Sequence, residues 1–361
     1  MIRRIISAGF ICLSLWASSQ EYEYDYTFFN NSPMPGSWFF SSTGSSGGSA
    51  IFNEKGKIPV NSEVFHTPGN SLELRFSNKV GGNWEACVFR PEKRGVDFFT
   101  ESSLLSFWIY FEAGTPAPGT PAPGTPAPGT SAPGTPALDD LPNVRLITRD
   151  NRRTTPVEIS CFEWNMWQRV LIPLESFGIP AANPNESVIG IVISQNENAS
   201  GGDQTLFIDD IELVPDENDR HISQLPVIIS AEGFDRHVDI AWEAVSDPNV
   251  RLVKIYRSEN GGGFVPAGIQ QPYINRYADF TGETGKEYAY MISFLDSDYK
   301  ETELSAPVSA TTIFMTDEQL LTMVQEACFR YYWEGAEPVS GMARENNPGR
   351  HNMIATGASG F

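Results

Sequence analysis

From Glu21 to about Pro215, apolar and polar positions alternate in short runs. Gly, Asn, Pro and Ser clusters separate the runs, as half-buried strands require. The runs are Ser71–Phe76, Trp84–Phe89, Ser103–Phe111, Val144–Thr148, Trp167–Leu174, Val188–Ile193 and Leu206–Val214. Within Ser103–Phe111 (SLLSFWIYF), period two places Leu105, Phe107, Ile109 and Phe111 on one face and Ser106, Trp108 and Tyr110 on the other. No helical period interrupts these runs, so the pattern predicts a sandwich of two sheets. In the last run Asp209 has the parity of Phe207, Ile211 and Leu213, which sets a carboxylate among apolar neighbours. A buried charge needs a partner. Asp209 is therefore expected to hold either a structural Ca²⁺, which favours carboxylate and carbonyl oxygens, or backbone amides.

The pattern turns helical only near the end of the chain. Thr316 and Gln319 form a capping box, and Asp317 and Glu318 lie where the helix dipole favours negative charge. Leu320, Val324, Ala327, Cys328 and Tyr331 then recur at helical spacing, which predicts a helix to about Trp333 that stops near Gly335. Between Phe111 and Leu141 the five-residue unit Gly-Thr-Pro-Ala-Pro repeats from Gly114. It has no large apolar residue, and its prolines remove backbone donors, so residues 112–140 are expected to form an extended loop with no core of their own. Residues 216–221 are a polar linker.

Met1–Ser19 has the layout of a signal peptide: Arg3 and Arg4, an apolar centre to Trp16, then Ala17-Ser18-Ser19. Export, to the periplasm or beyond the cell, is the expectation. Ile11 before Cys12 is too bulky for the usual lipoprotein site. No other apolar run is long enough to span a bilayer. The mature chain keeps Cys87, Cys161 and Cys328, too sparse for a disulfide scaffold. Buried thiols or a Cys87–Cys161 pair both remain open.

Charge narrows the partners. Acidic residues outnumber basic ones 45 to 25, and a formal charge of −20 argues against nucleic acid and anionic lipid. A neutral ligand and a monomeric protein are expected. Pyranose rings stack on aromatic faces while polar neighbours hold the hydroxyls. That makes Trp84, Trp108 with Tyr110, and Trp164 with Trp167 the candidate glycan contacts in the first sandwich, with core packing as the competing role of each tryptophan. The four histidines show no metal-ligand spacing, and neither C-x-x-C, H-E-x-x-H nor a P-loop occurs. No cofactor is expected apart from the Ca²⁺ raised by Asp209.

Three resemblances add to this reading. W-Q-R-V-L-I-P-L-E-S-F (from Trp167) and L-F-I-D-D-I-E-L (from Leu206) make residues 20–215 similar to the jelly-roll, galactose-binding-like modules found beside carbohydrate-active enzymes. Residues 222–312 resemble a fibronectin type III domain. V-D-I-A-W-E-A-V supplies Trp242, V-K-I-Y-R-S-E-N-G-G-G-F-V-P-A-G a hairpin, and E-Y-A-Y-M-I-S-F an alternating strand. In that likeness Trp242, Tyr256, Tyr288 and Tyr290 are core and corner residues.

F-R-Y-Y-W (from Phe329), P-V-S-G-M-A-R-E (from Pro338) and A-T-G-A-S-G-F (from Ala355) resemble the opening of the glycoamylase-like catalytic domain, the family that includes endo-β-1,2-glucanases. The likeness implies that residues 313–361 begin an (α/α)6 barrel of a glycoside hydrolase. It also implies that Arg344 and Glu345 contact a β-glucan substrate and that the acidic catalytic residues lie further on. Twelve helices need on the order of 140 helical residues, so this stretch alone is expected to be inactive. The fold expected is mostly β, a jelly-roll sandwich followed by a fibronectin type III sandwich and a short helical segment. A non-catalytic carbohydrate-binding or adhesive protein is the alternative.

Overall fold

The structure is a computed structural model, and it describes residues 27–90, 103–112, 141–159, 164–179, 188–199, 201–214, 221–334, 336, 340–343 and 354. It is mostly β, with one α-helix among the described residues. The signal-peptide expectation, the Gly/Thr/Pro/Ala repeats, the 216–220 part of the linker, Cys161, Arg344 and Glu345 lie outside the described residues.

The first unit contributes β1 (Thr27–Phe29), β2 (Ser41–Ser46), β3 (Ala50–Ile51), β4 (Val60–Asn61), β5 (Ser71–Asn78) and β6 (Asn83–Phe89). It continues with β7 (Leu104–Phe111), β8 (Asn143–Thr148), β9 (Val157–Glu158), β10 (Gln168–Pro173), β11 (Val188–Ser194) and β12 (Gly202–Val214). One antiparallel sheet runs β10-β7-β12-β5-β3, with β1 also on β12 and β4 also on β5; the other runs β2-β6-β11-β8-β9. Each of the seven runs read from the alternation is a strand. The run from Trp167 ends at Pro173 and passes into a 3-10 turn, Leu174–Phe177. Strand β2 (SSTGSS) has one strand-favouring side chain, Thr43, and its pairing with β6 is what makes it a strand.

The sandwich core lies between the two sheets. Leu105, Phe107, Ile109 and Phe111 of β7 face it, with Leu72, Leu74, Ala86, Val88, Val144 and Leu146. Trp84 is at its centre, fully buried.

The second unit contains β13 (Ile228–Gly233), β14 (His237–Trp242), β15 (Leu252–Glu259), β16 (Val265–Gln270), β17 (Arg276–Phe280), β18 (Glu287–Leu295) and β19 (Val308–Thr311). A β13-β14-β17 sheet packs on a β16-β15-β18-β19 sheet. Trp242, Tyr288 and Tyr290 are buried between them with Val238, Ile240, Val253 and Ile255. Tyr256 lies outside that core, its hydroxyl donating to Glu301 at 2.6 Å on the surface. At Gly233 the backbone passes so close to β19 that an added Cβ would sit 1.9 Å from the Thr311 carbonyl oxygen, so only glycine fits.

Helix α1 spans Asp317–Glu334, as the helical spacing predicts. The capping box forms: Thr316 N donates to Gln319 Oε1 at 2.9 Å, and Gln319 N to Thr316 Oγ1 at 3.3 Å. The segment before it is tied down by Ile313 N donating to the Phe234 carbonyl and by Met315 Sδ accepting from Asp235 N. The helix itself stands away from the second unit across an open cleft of about 1230 Å³, with Phe329 and Arg330 on one wall and Glu232, Asp239 and Arg276 on the other. It is not long and apolar enough to cross a membrane.

Candidate functional site

Trp84 contacts no solvent. Its Nε1 donates to Asn78 Oδ1 at 2.7 Å, and its ring packs 4.2 Å from Phe76. The expectation of a glycan-stacking face here is corrected: β6 turns Trp84 inward, where it fills the core. Its neighbour Glu85 points the other way and forms a two-pronged ion pair with Arg153, at 2.5 and 2.9 Å. The bond from Arg153 lowers the Glu85 carboxyl below its usual range.

Trp108 and Tyr110 do lie on the outer face of the β10-β7-β12 side, as the alternation predicts. The second unit covers part of that face, and Trp108 stays partly exposed beneath it. Trp108 is stacked by the His66 ring at a centroid distance of 3.7 Å and met edge-on by Tyr299 at 5.7 Å. Leu252 and Leu295 complete an apolar patch around the pair. Tyr110 lies to one side, half-buried against Trp167 and Phe207.

The second correction concerns Asp209, whose strand is not regular. Asp209 pairs with Trp108, but the next pair is Glu212 with Ser106, so β12 holds one extra residue there. A bulge of this kind shifts the phase of the side chains. Leu206, Ile208, Ile211 and Leu213 face the core, while Phe207, Asp209 and Glu212 belong to the outer face. The extra residue, Asp210, has φ 49°, a left-handed conformation that aspartate tolerates better than most residues.

The bulge directs two successive carboxylates at one loop. Asp209 Oδ2 accepts from His66 N at 2.9 Å and Thr67 N at 3.1 Å, and its Oδ1 from Asp210 N at 2.9 Å. Asp210 contacts His66 Nδ1 at 2.9 Å and accepts from the Thr67 hydroxyl at 3.2 Å. Burial pushes Asp209 well above the usual carboxylate range, the charge of Asp210 adds to this, and the three backbone donors act against it. Among the described residues no group of three or more His, Cys, Asp or Glu is placed to hold a metal. Asp209 is a clamp on the 66–67 backbone, the second of the two roles its sequence position left open.

Beside the clamp lies a paired charge from each unit. Arg251 Nη2 donates to Glu212 Oε2 at 2.6 Å, and the Tyr299 hydroxyl donates to Glu212 Oε1 at 2.9 Å. Both members of the ion pair have side chains only 3% exposed. Burial alone would lower Arg251, but the adjacent Glu212 carboxylate more than offsets it and the guanidinium is raised. Burial likewise pushes the Tyr299 hydroxyl well up, with Asp210 and Glu212 reinforcing it.

Sequence reasoning did not find His66, Arg169, Glu212, Arg251 or Tyr299. They are scattered polar and aromatic residues whose meeting depends on how two units dock. The one available signal was the mixed face of Trp108 itself, which identifies a contact surface without its partner. Chemically, the buried carboxylates Asp209, Asp210 and Glu212 are all within 2% of complete burial and committed to protein donors. They cannot reach a glycosidic bond. Cys87 is a buried free thiol and Cys328 an exposed one.

No family model matches the chain. Over 358 residues, 97% of its length, it is 40% identical to an exo beta-1,2-glucooligosaccharide sophorohydrolase (non-reducing end) of Parabacteroides distasonis. It is also similar to the crystal structure of a beta-1,2-glucanase from Parabacteroides distasonis, with a TM-score of 0.79 at 39% identity, covering 94% of this chain and 46% of that one. The chain spans about half the length of these relatives, 47% in the case of the sophorohydrolase.

Proposed function

We propose that this chain forms part of an exported glycoside hydrolase acting on β-1,2-linked glucan, to which it contributes two β-sandwiches and the first helix of the catalytic domain. The observation that carries the reading is the 40% identity sustained over 97% of the chain. A span of that length takes in both sandwiches and α1. The resemblance of Phe329–Trp333 and Pro338–Glu345 to a glycoamylase-like opening, made from the residues alone, supports the same substrate class.

On this reading residues 1–19 direct export, residues 20–215 are a jelly-roll module and residues 222–312 a fibronectin type III domain. Arg344 and Glu345 are assigned to substrate contact in the catalytic domain. No catalytic residue is assigned within the described part, since the carboxylates at its centre are buried and paired. Glycan contact on the first sandwich is assigned to Tyr110 and its neighbour Trp167, which keep accessible ring area where Trp84 does not.

The test is product analysis on linear β-1,2-glucooligosaccharides. The 361-residue chain is expected to leave them intact, and the coding sequence read to the relatives' length is expected to shorten them. A protein of that length that cleaves another glucan and spares the β-1,2 linkage overturns the substrate assignment. One that cleaves no glucan overturns the reading itself.

A further inference from the structure

We propose that the seam between the two sandwiches is a self-sufficient docking interface, keyed by the Tyr299 turn, which holds them as one rigid body without help from the covalent connection between Val214 and His221.

The seam has the anatomy of a specific interface: an apolar and aromatic centre, a buried ion pair beside it, and a polar rim. The centre is Trp108 under His66, with Tyr299, Leu252 and Leu295. Arg251 and Glu212 form the pair. Arg169 supplies the rim. It donates from Nε to Ser106 Oγ at 3.0 Å within its own sandwich, then across the seam from Nη1 to Asp298 Oδ1 at 3.0 Å and from Nη2 to the Ser297 carbonyl at 2.9 Å. Its guanidinium also lies 5.3 Å from the Tyr299 ring centre.

These contacts fix orientation as well as distance. On the first sandwich they come from the 66–67 loop, the β7–β10 pair, the bulge of β12 and Thr27 of β1, whose hydroxyl accepts from Arg251 Nη2 at 3.4 Å. On the second they come from the start of β15 and the turn after β18. Trp108, Arg169 and Glu212 stand on three neighbouring strands and all three contact Tyr299, so the turn is gripped from several directions at once.

The turn that enters the seam is already shaped for it. Asp296 Oδ1 accepts from Asp298 N at 2.8 Å and Lys300 N at 2.9 Å, and Tyr299 N donates to the Asp296 carbonyl at 3.0 Å. This holds Tyr299 at φ 62°. The bonds are internal to the turn and use no group of the first sandwich, which keeps the ordering cost of association small. Two sandwiches joined only by a tether would not place an arginine and a glutamate out of water at their junction, since each is costly to bury unless the other is reliably present.

The test places a specific protease site between Val214 and His221 of the full chain, cuts it, and measures by gel filtration whether the halves stay together. The expected result is co-elution at micromolar concentration for the wild-type protein, with an unchanged far-UV spectrum. Tyr299→Ala is expected to weaken association roughly 30-fold or more, as for the central residue of an interface, and to release the halves. Halves that separate or aggregate after the wild-type cut overturn the proposal. So does a cut Tyr299→Ala protein that holds together as tightly as the wild type. If Tyr299→Ala does not fold, Tyr299→Phe and Arg169→Gln replace it; the first loses the bond to Glu212 and the second the rim contacts. Wild-type association in both overturns the role given to the turn.

Discussion

Trp108 of the first sandwich meets Tyr299 of the second edge to face, with ring centroids 5.7 Å apart and planes at 79°. This geometry suits the positive edge of one aromatic ring and the negative face of another. The contact occupies the face that the alternation of β7 presents as an aromatic surface. Trp108, which reads as a ligand platform, also makes a contact between the first sandwich and the second.

Loss of Arg251 tests the charge balance at that junction. Arg251→Met leaves Glu212 buried and without its cation, which is expected to cost about 3–5 kcal/mol of unfolding free energy. The double variant Arg251→Met, Glu212→Leu removes both charges and is expected to recover much of the loss. Urea denaturation of the wild type, both single variants and the double variant provides the measurement. A double variant as unstable as Arg251→Met would show that the uncompensated charge is not the cause.

Trp84→Ala should act on stability and leave glycan binding untouched. Removing a fully buried indole from the sandwich core is expected to cost about 3–5 kcal/mol. In a titration with β-1,2-glucooligosaccharides at a temperature where the variant remains folded, its affinity is expected to equal that of the wild type. Tyr110→Ala is expected to lose binding with little change in thermal midpoint. The reverse pattern would return Trp84 to the ligand.

Asp247 gives an acid-sensitive contribution. Its Oδ2 accepts from Ser223 N at 2.6 Å, Ser223 Oγ at 2.8 Å and Gln224 N at 3.2 Å, and its Oδ1 from Asn249 N at 2.9 Å. Burial acts to raise this carboxyl, but the donors win and it is lowered. A depressed acid stabilises the fold above its unfolded value, near pH 4, and loses that contribution as pH falls through the folded value. Asp247→Asn is therefore expected to cost about 1–3 kcal/mol at neutral pH and progressively less below pH 4. Thermal midpoints of the two proteins from pH 7 to pH 2.5 should converge; a constant gap would rule out titration of Asp247 as the source.

Helix α1 should be cut before the second sandwich. Leu321, Val324, Phe329 and Trp333 are 64%, 52%, 61% and 74% exposed. A lone helix of this length is marginal in water. Brief chymotrypsin treatment followed by mass spectrometry is expected to show cleavage at Phe329–Trp333 before any bond within β13–β19. Simultaneous loss of both would mean that α1 is as protected as the sandwich.

Local chemistry made much of this protein legible in its sequence. Alternation along Ser103–Phe111 sets which side chains of β7 face the core, because a strand's side-chain period is fixed by the backbone. Thr316 and Gln319 mark where α1 begins, because a capping box needs only residues three apart. The mostly β character follows in the same way from short alternating runs between turn residues. What required the tertiary structure was everything that depends on a partner. Whether Trp84 fills a core or meets a sugar depends on which way β6 faces. That strand has apolar residues on both sides, Trp84, Ala86 and Val88 on one and Cys87 and Phe89 on the other, so its own pattern does not say which is inside. The bulge at Asp210 exists only through the pairing of β12 with β7, and it puts Ile211 and Leu213 in the core while Asp209 stays on the outer face. Arg251 and Glu212, Trp108 and Tyr299 become neighbours only when two sandwiches dock, and that docking is written in the shapes of folded surfaces rather than in any local pattern of residues.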